Sequence, residues 1–311
     1  MYTLDTGIRF THQDFEGRAT NFFTAFNDDG VDRNGHGTHC SSTMAGVQYG
    51  VAKKATVFGG KVLGDNGSGA YSGVIGGVDA VNAASSTRTK ISNMSLGGGI
   101  STALNDAVNS ATDVVHVVAS GNSNANACNF SPASASGAYT ANAMQQGDSR
   151  SSFSNFGECS DIFAPGTGVQ AAWSSSDTAT NTIPGTSMAA PHVAGLAALL
   201  VSDSASLDVS QVKSLMTSLA TANAISNAGT GSPNLLAYND RDGPSTPAPP
   251  TVPPTSAPPT IGPPMCDNNS CIYAFDVDCD DGGSGADYSL CSYGSDCNDC
   301  CLKAPSRAEC V

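Results

Sequence analysis

Three short segments place reactive side chains among glycines: Leu4-Asp5-Thr6-Gly7, Gly35-His36-Gly37-Thr38-His39-Cys40, and Gly185-Thr186-Ser187-Met188-Ala189-Ala190-Pro191-His192. A serine hydroxyl is a weak nucleophile until a base takes its proton. An imidazole becomes that base when a carboxylate fixes its tautomer, and small flanking residues let a peptide backbone approach. Asp5, His36 and Ser187 supply one group of each kind, and the chemistry open to them is acyl transfer. Singly, each has a plainer reading: an Asp after an apolar run is commonly a turn residue, and a Gly-flanked His a surface residue. Together, each at the end of a predicted strand or the start of a predicted helix, they point to one site.

The elements that must position them follow from hydrophobic pattern. Residues 55–63 (ATVFGGKVL), 91–96 (ISNMSL) and 113–119 (DVVHVVA) read as buried strands, with helical patterns at 73–84 and 101–111. Strands alternating with helices predict an α/β fold with a mostly parallel sheet and helices on its faces. Ser187 would open a strongly apolar helix, whose amino-terminal dipole favours developing negative charge.

Of the 311 residues, 13 are Lys or Arg and 27 Asp or Glu, a net charge of -14 that repels nucleic acid. No stretch reaches the ~18 apolar residues of a membrane helix. Eleven cysteines are many for a cytosolic enzyme, and eight fall within 266–311; the expected compartment is oxidising and the protein secreted. Residues 241–265 form a Pro-, Thr- and Ser-rich linker, where prolines favour polyproline II and about 23 residues at roughly 3.1 Å each could span about 70 Å. Residues 266–311 are too few to be stable on apolar burial alone, and up to four disulfides would supply the constraint. Their pairing is open. Zinc at Cys297 and Cys300 is the lesser alternative, for want of a second matching pair. Residues 241–311 hold ten acidic and three basic side chains, half of the net charge.

Residues 1–240 resemble a subtilase of the proteinase K type, on the text LDTG, NGHGTHC, YGVAKK, NGSGAYS, SLGGG, ASGN, SSFSN, FAPG and GTSMAAPHVAGLAALL. The resemblance implies the three-layer subtilisin-like fold and a secreted, monomeric serine endopeptidase acting on protein and peptide substrates. Asp5 would orient His36, His36 would serve as general base and then acid, and Ser187 would attack the scissile carbonyl. Asn122 matches the family's oxyanion donor, with the Ser187 amide as the second. Gly67, Ser68 and Gly69, with Ser95, Leu96 and Gly97, resemble the edge segments that pair with substrate backbone, which implies broad specificity. A first pocket lined by Ser95 to Gly97 and by Ala119, Ser120 and Gly121 would accept an apolar or aromatic side chain, and Tyr71 would sit near the fourth pocket.

The same resemblance implies a buried free thiol at Cys40 beneath His36. It also implies a disulfide between Cys128 and Cys159, for which two unpaired thiols are the alternative. Structural Ca²⁺ would be held by Asp161 with the backbone carbonyls of Ser136 and Ala138, oxygen ligands of the kind that suit this ion; the alternative for Asp161 is a surface residue. The acidic run from Asp276 to Gly282 departs from EF-hand spacing and reads as a solvated face. His12, His39, His116 and His192 read as structural or surface residues. Asn66, Asn93, Asn129 and Asn268 begin N-x-[ST] sequons; the first two would lie near the cleft, which disfavours glycans there. Relatives carry a leader, a pro-region and some tens of residues before the catalytic aspartate, so four residues before Asp5 suggest a fragment or truncated gene model. Two other readings remain: a catalytically silent scaffold whose acidic tail is the binding module, and an active enzyme whose tail anchors it to a surface or carbohydrate.

Overall fold

The computed structural model describes residues 1–239. The expected linker, Cys-rich module, acidic loop and Asn268 sequon lie outside the described residues. A ten-stranded sheet runs parallel through its seven principal strands: β1 (Tyr2–Asp5), β2 (Ala19–Thr24), β3 (Val57–Lys61), β4 (Lys90–Met94), β5 (Val114–Ala119), β6 (Ala138–Gln145) and β7 (Ile162–Pro165). Their order is β7-β6-β5-β4-β1-β3-β2, each neighbouring pair parallel. Short strands Leu235–Leu236 and Thr221–Ala222 extend the β7 edge.

Parallel strands covered on both faces can be apolar throughout, and β5 is buried at every position of VVHVVA. Its alternating side chains feed two cores. Val115, Val117 and Ala119 join the core built with Ala189, Val193 and Leu196, while Val114 and Val118 join the one built with Val74, Val78 and Leu104. The helices that cover these faces are α1 (His36–Ala45), α2 (Tyr71–Ala83), α3 (Thr102–Asn109), α4 (Thr186–Asp203) and α5 (Val209–Leu219). α4 lies against β4 to β7 and carries α1 and α5, and α2 pairs with α3 on the other face. This is the expected α/β, three-layer arrangement.

The predicted strands and helices fall within two or three residues of the observed ends. The trim that matters for the cleft is at 91–96, where the strand stops at Met94 and Ser95 lines a cavity instead. The order of strands matters more than their ends. From β1 the chain goes outward to β2, returns through β3, then crosses to β4 on the other side of β1, and the crevice outside the carboxyl ends at such a reversal is where α/β sheets bind ligands. Asp5 is the last residue of β1, and Ser95 and Ser120 follow β4 and β5 directly. Behind this rim, Cys128 and Cys159 form the expected disulfide, 31 residues apart with Cα atoms 5.2 Å apart. A loop of that length closes with roughly 3–4 kcal/mol of chain entropy removed from the unfolded state.

Candidate active site

The exit of β1 and the start of α1 are pressed together, and glycine permits it. A Cβ at Gly37 would collide with the Gly7 carbonyl, and one at Gly35, where φ is +116°, with the Trp173 indole. The close approach brings Asp5 Oδ1 within 2.8 Å of His36 Nδ1. An ionised carboxylate only accepts hydrogen bonds, so Nδ1 carries the proton and Nε2 keeps its lone pair for the cleft. Burial opposes charge on His36, but the Asp5 carboxylate outweighs it and holds the imidazole well above its ordinary 6.5.

The first three amides of α1 have no partner within the helix, and side chains from outside supply each one. Asn34 Oδ1 accepts from His36 N, Thr6 Oγ1 from Gly37 N at 2.9 Å, and Asp32 Oδ2 from Thr38 N at 2.9 Å. Asp32, 2% exposed, accepts four more hydrogen bonds: from Thr6 Oγ1, Asn34 N, Gly35 N and Thr38 Oγ1. One carboxylate thus ties the residue after Asp5 to the turn that carries His36, and its charge suits the positive end of the helix. The buried Lys61 ammonium holds the Thr6 carbonyl at 2.8 Å and Asp65 at 2.7 Å. Sequence reading singled out neither Asp32 nor Lys61. The only signal in the sequence is an acidic residue four positions before the histidine.

Ser187 stands in the first turn of α4, after Gly185, which takes φ +149°. Its Oγ donates to the Ser95 carbonyl at 3.2 Å, while Ser95 Oγ donates to the Ser187 carbonyl at 2.7 Å. Cys40 is a buried free thiol, as expected, with Sγ 3.8 Å from His36 Nδ1 and 3.4 Å from the Ser187 carbonyl. Burial pushes its pKa up, so it is held as a neutral thiol.

Asn122 is oriented through Thr186, another residue whose role the sequence left unread. Asn122 Oδ1 accepts from Thr186 N at 2.9 Å and from Thr186 Oγ1 at 2.8 Å. With the oxygen engaged, the amide's two N–H donors are left for the cleft. Asn155, from the SSFSN run, fixes the loop below by donating to the Ser120 carbonyl and accepting from Ser123 N and Ala125 N.

Two cavities flank this constellation. One of about 240 Å³ is lined by Leu96, Gly97, Ala119, Ser120, Gly121, Asn122 and Ser187, with Phe130 and Ala133 also in its wall. The other, about 360 Å³, is lined by His36, Gly67, Ser68, Gly69, Tyr71, Ser95, Leu96 and Gly97. The segment Leu96-Gly97 is therefore a shared wall, and no lining residue of the smaller cavity is charged. Tyr71 Oη donates to the Gly99 carbonyl at 2.5 Å, tying α2 to the Gly98–Gly99 strand, which pairs with Phe130 and Ser131. Residues 67–69 form no strand but expose their backbone along the second cavity. The buried His39 and His116 bond within the fold, to the Val169 carbonyl and Asn82 Oδ1, and burial lowers their pKa values to about 4 and about 3. Asn93 is wholly buried, so its sequon is closed to glycan.

The residues expected to hold calcium have protein partners of their own. Ca²⁺ needs six to eight oxygens. Here the Ala138 carbonyl already accepts from Lys213 Nζ at 3.3 Å, and Asp161 Oδ2 accepts from Thr140 N at 2.6 Å. Ser136 meets Asn109 through its hydroxyl, at 3.4 Å. The residues read in the sequence as a calcium site, Asp161, Ser136 and Ala138, therefore have a lysine ammonium beside them.

Residues 3–238 match the model of the Subtilase family. The chain is 48% identical over 263 residues to the subtilisin-like proteinase Spm1 of Pyricularia oryzae, covering 76% of this chain and 49% of that protein. It is 49% identical over 241 residues to an extracellular serine proteinase of Thermus sp. (strain Rt41A), covering 76% and 58%. The chain spans about half the length of the curated relatives it matches. A crystal structure of a cold adapted subtilisin-like serine proteinase superposes with TM-score 0.74 at 46% identity, over 78% of this chain and 88% of that one.

Proposed function

Because the chain belongs to the subtilase family, we propose that it is a secreted serine endopeptidase working through Asp5, His36 and Ser187. The observation that carries the reading is the 2.8 Å bond from His36 Nδ1 to a carboxylate at the carboxyl end of β1, with Ser187 Oγ held on the carbonyl of Ser95, which lines one cavity with His36. To react, the Ser187 hydroxyl turns from the Ser95 carbonyl to His36 Nε2, which takes its proton as Oγ adds to the substrate carbonyl. The new oxyanion receives N–H bonds from Asn122 Nδ2 and the Ser187 amide, beside the positive end of α4. His36 then gives its proton to the leaving amine, and water repeats the sequence to release the acid. Asp5 stays ionised and keeps the tautomer.

The uncharged wall of the smaller cavity supports a preference for apolar or aromatic side chains before the scissile bond. The exposed residues 67–69, with the segment 95–97 lining the same cavity, support broad specificity, since main chain pairs with main chain. The net charge of -14 argues against nucleic-acid partners. Secretion is supported by the Cys128–Cys159 disulfide and by a relative named extracellular, and no described helix is long and apolar enough to cross a membrane. Subtilases commonly bind structural calcium; the Asp161 pocket is not proposed to hold it here. Catalysis is assigned to residues 1–240 in a monomer, and residues 266–311 to a separate module that binds a surface or carbohydrate ligand.

One labelling experiment tests both assignments. A fluorophosphonate probe is expected to modify Ser187 once per chain, equally in the full chain and in a version ending after Asp240. Labelling elsewhere would overturn the nucleophile, and labelling of the full chain alone would overturn the division.

A further inference from the structure

The start of β6 brings backbone carbonyls, a carboxylate and an ammonium together. Lys213, on α5, reaches across to the strand and donates from Nζ to the Gly137 carbonyl at 2.6 Å and the Ala138 carbonyl at 3.3 Å. Asp161 stands at the far side, with Oδ2 accepting from Thr140 N at 2.6 Å and its own amide donating to the Thr140 carbonyl at 2.9 Å. Asn109 Oδ1 accepts from Gly137 N at 2.6 Å and so fixes the peptide plane just before the Gly137 carbonyl. We infer that the Lys213 ammonium is the resident cation of this pocket, and that the chain fastens α5 to β6 there without calcium. The inference does not depend on the peptidase reading.

Charge and geometry both favour the lysine. One carboxylate and one ammonium leave the pocket neutral, whereas a divalent ion added beside the ammonium would leave it with two uncompensated positive charges. A calcium ion would also need ligands at 2.3–2.6 Å from every side, and two backbone oxygens are already turned to Nζ. Burial lowers the Lys213 pKa and raises that of Asp161, and each charge opposes the effect of burial on the other. The other titratable groups nearby are Tyr139, whose pKa burial raises to about 12, and His116, kept neutral by burial. Neither supplies a further ligand charge.

The test is calcium binding by the full chain, read as ions bound per chain and as the shift in melting temperature between calcium and chelator. Wild type and Asp161→Asn should bind the same number of ions and show the same calcium shift, because any calcium held by this fold sits elsewhere. Lys213→Met should melt lower by several degrees, in calcium and in chelator alike. Loss of one bound ion in Asp161→Asn, or a Lys213→Met variant that melts as the wild type does, would overturn the inference. Should either variant fail to fold, crystals of the wild type soaked in a lanthanide decide. Anomalous density between Asp161 and the Ala138 carbonyl would contradict it, and its absence there, with the ammonium in place, is the expected result.

Discussion

Ser95 and Ser187 hold each other: Ser187 Oγ donates to the Ser95 carbonyl at 3.2 Å, and Ser95 Oγ returns a bond to the Ser187 carbonyl at 2.7 Å. The pair links the end of β4 to the first turn of α4, so the wall of the larger cleft cavity and the proposed nucleophile share one brace. Removing the Ser95 hydroxyl leaves the Ser187 carbonyl with the longer Cys40 contact.

Ser95→Ala should therefore loosen the nucleophile without unfolding the protein. A lost neutral hydrogen bond of about 1 kcal/mol corresponds to a fall of about fivefold. The measurement is kcat on a short apolar peptide, normalised to titrated active sites. An unchanged kcat would show that the brace is not needed.

Asp32 is the second brace, and its failure should be more severe. Asp32→Asn replaces an acceptor by donors facing the N–H and O–H groups of Thr38, inside a site that is 2% exposed. Losses of about 3–5 kcal/mol are expected from breaking a buried charge network of this kind, read as a fall in melting temperature. Activity should fall further than the folded fraction does, because the network joins Thr6 to the His36 turn. A variant with wild-type melting and kcat would dismiss the positioning role.

The raised pKa of His36 sets opposite demands on activity and stability. The charged pair with Asp5 contributes its stability in full below the ordinary histidine value of 6.5 and loses it as pH rises through the raised value. General-base catalysis needs the neutral ring, so kcat/KM should climb over the same range and reach its plateau in mildly alkaline solution. In Asp5→Asn the largest opposing influence, burial, is left unbalanced. The rising limb should move to lower pH while kcat drops on the order of 10³–10⁴-fold. A pH profile that does not move would separate His36 from Asp5.

The proposed triad can be read from the sequence because each member sits among glycines whose spacing survives there, and β5 shows as an apolar run broken only by His116. What escaped was acceptor geometry. Nothing in the letters around Asp32 says that five donors converge on it, and Thr186 looked like a flank of Ser187 rather than the group that turns Asn122. The ammonium beside the expected calcium ligands escaped for a related reason: Lys213 lies on a helix some fifty residues after Asp161, and only folding brings it to the Ala138 carbonyl.

The central claim is that Asp5, His36 and Ser187 act as one machine, and additivity tests it most directly. Compare kcat for Ser187→Ala, His36→Ala and the double variant, each prepared free of contaminating protease, on the same peptide. Groups that act as a unit lose nearly everything at the first substitution. The account therefore predicts that each single variant falls to the same residual rate as the double. A single variant that keeps substantial turnover, or a double variant whose loss is the product of the two single losses, would contradict it.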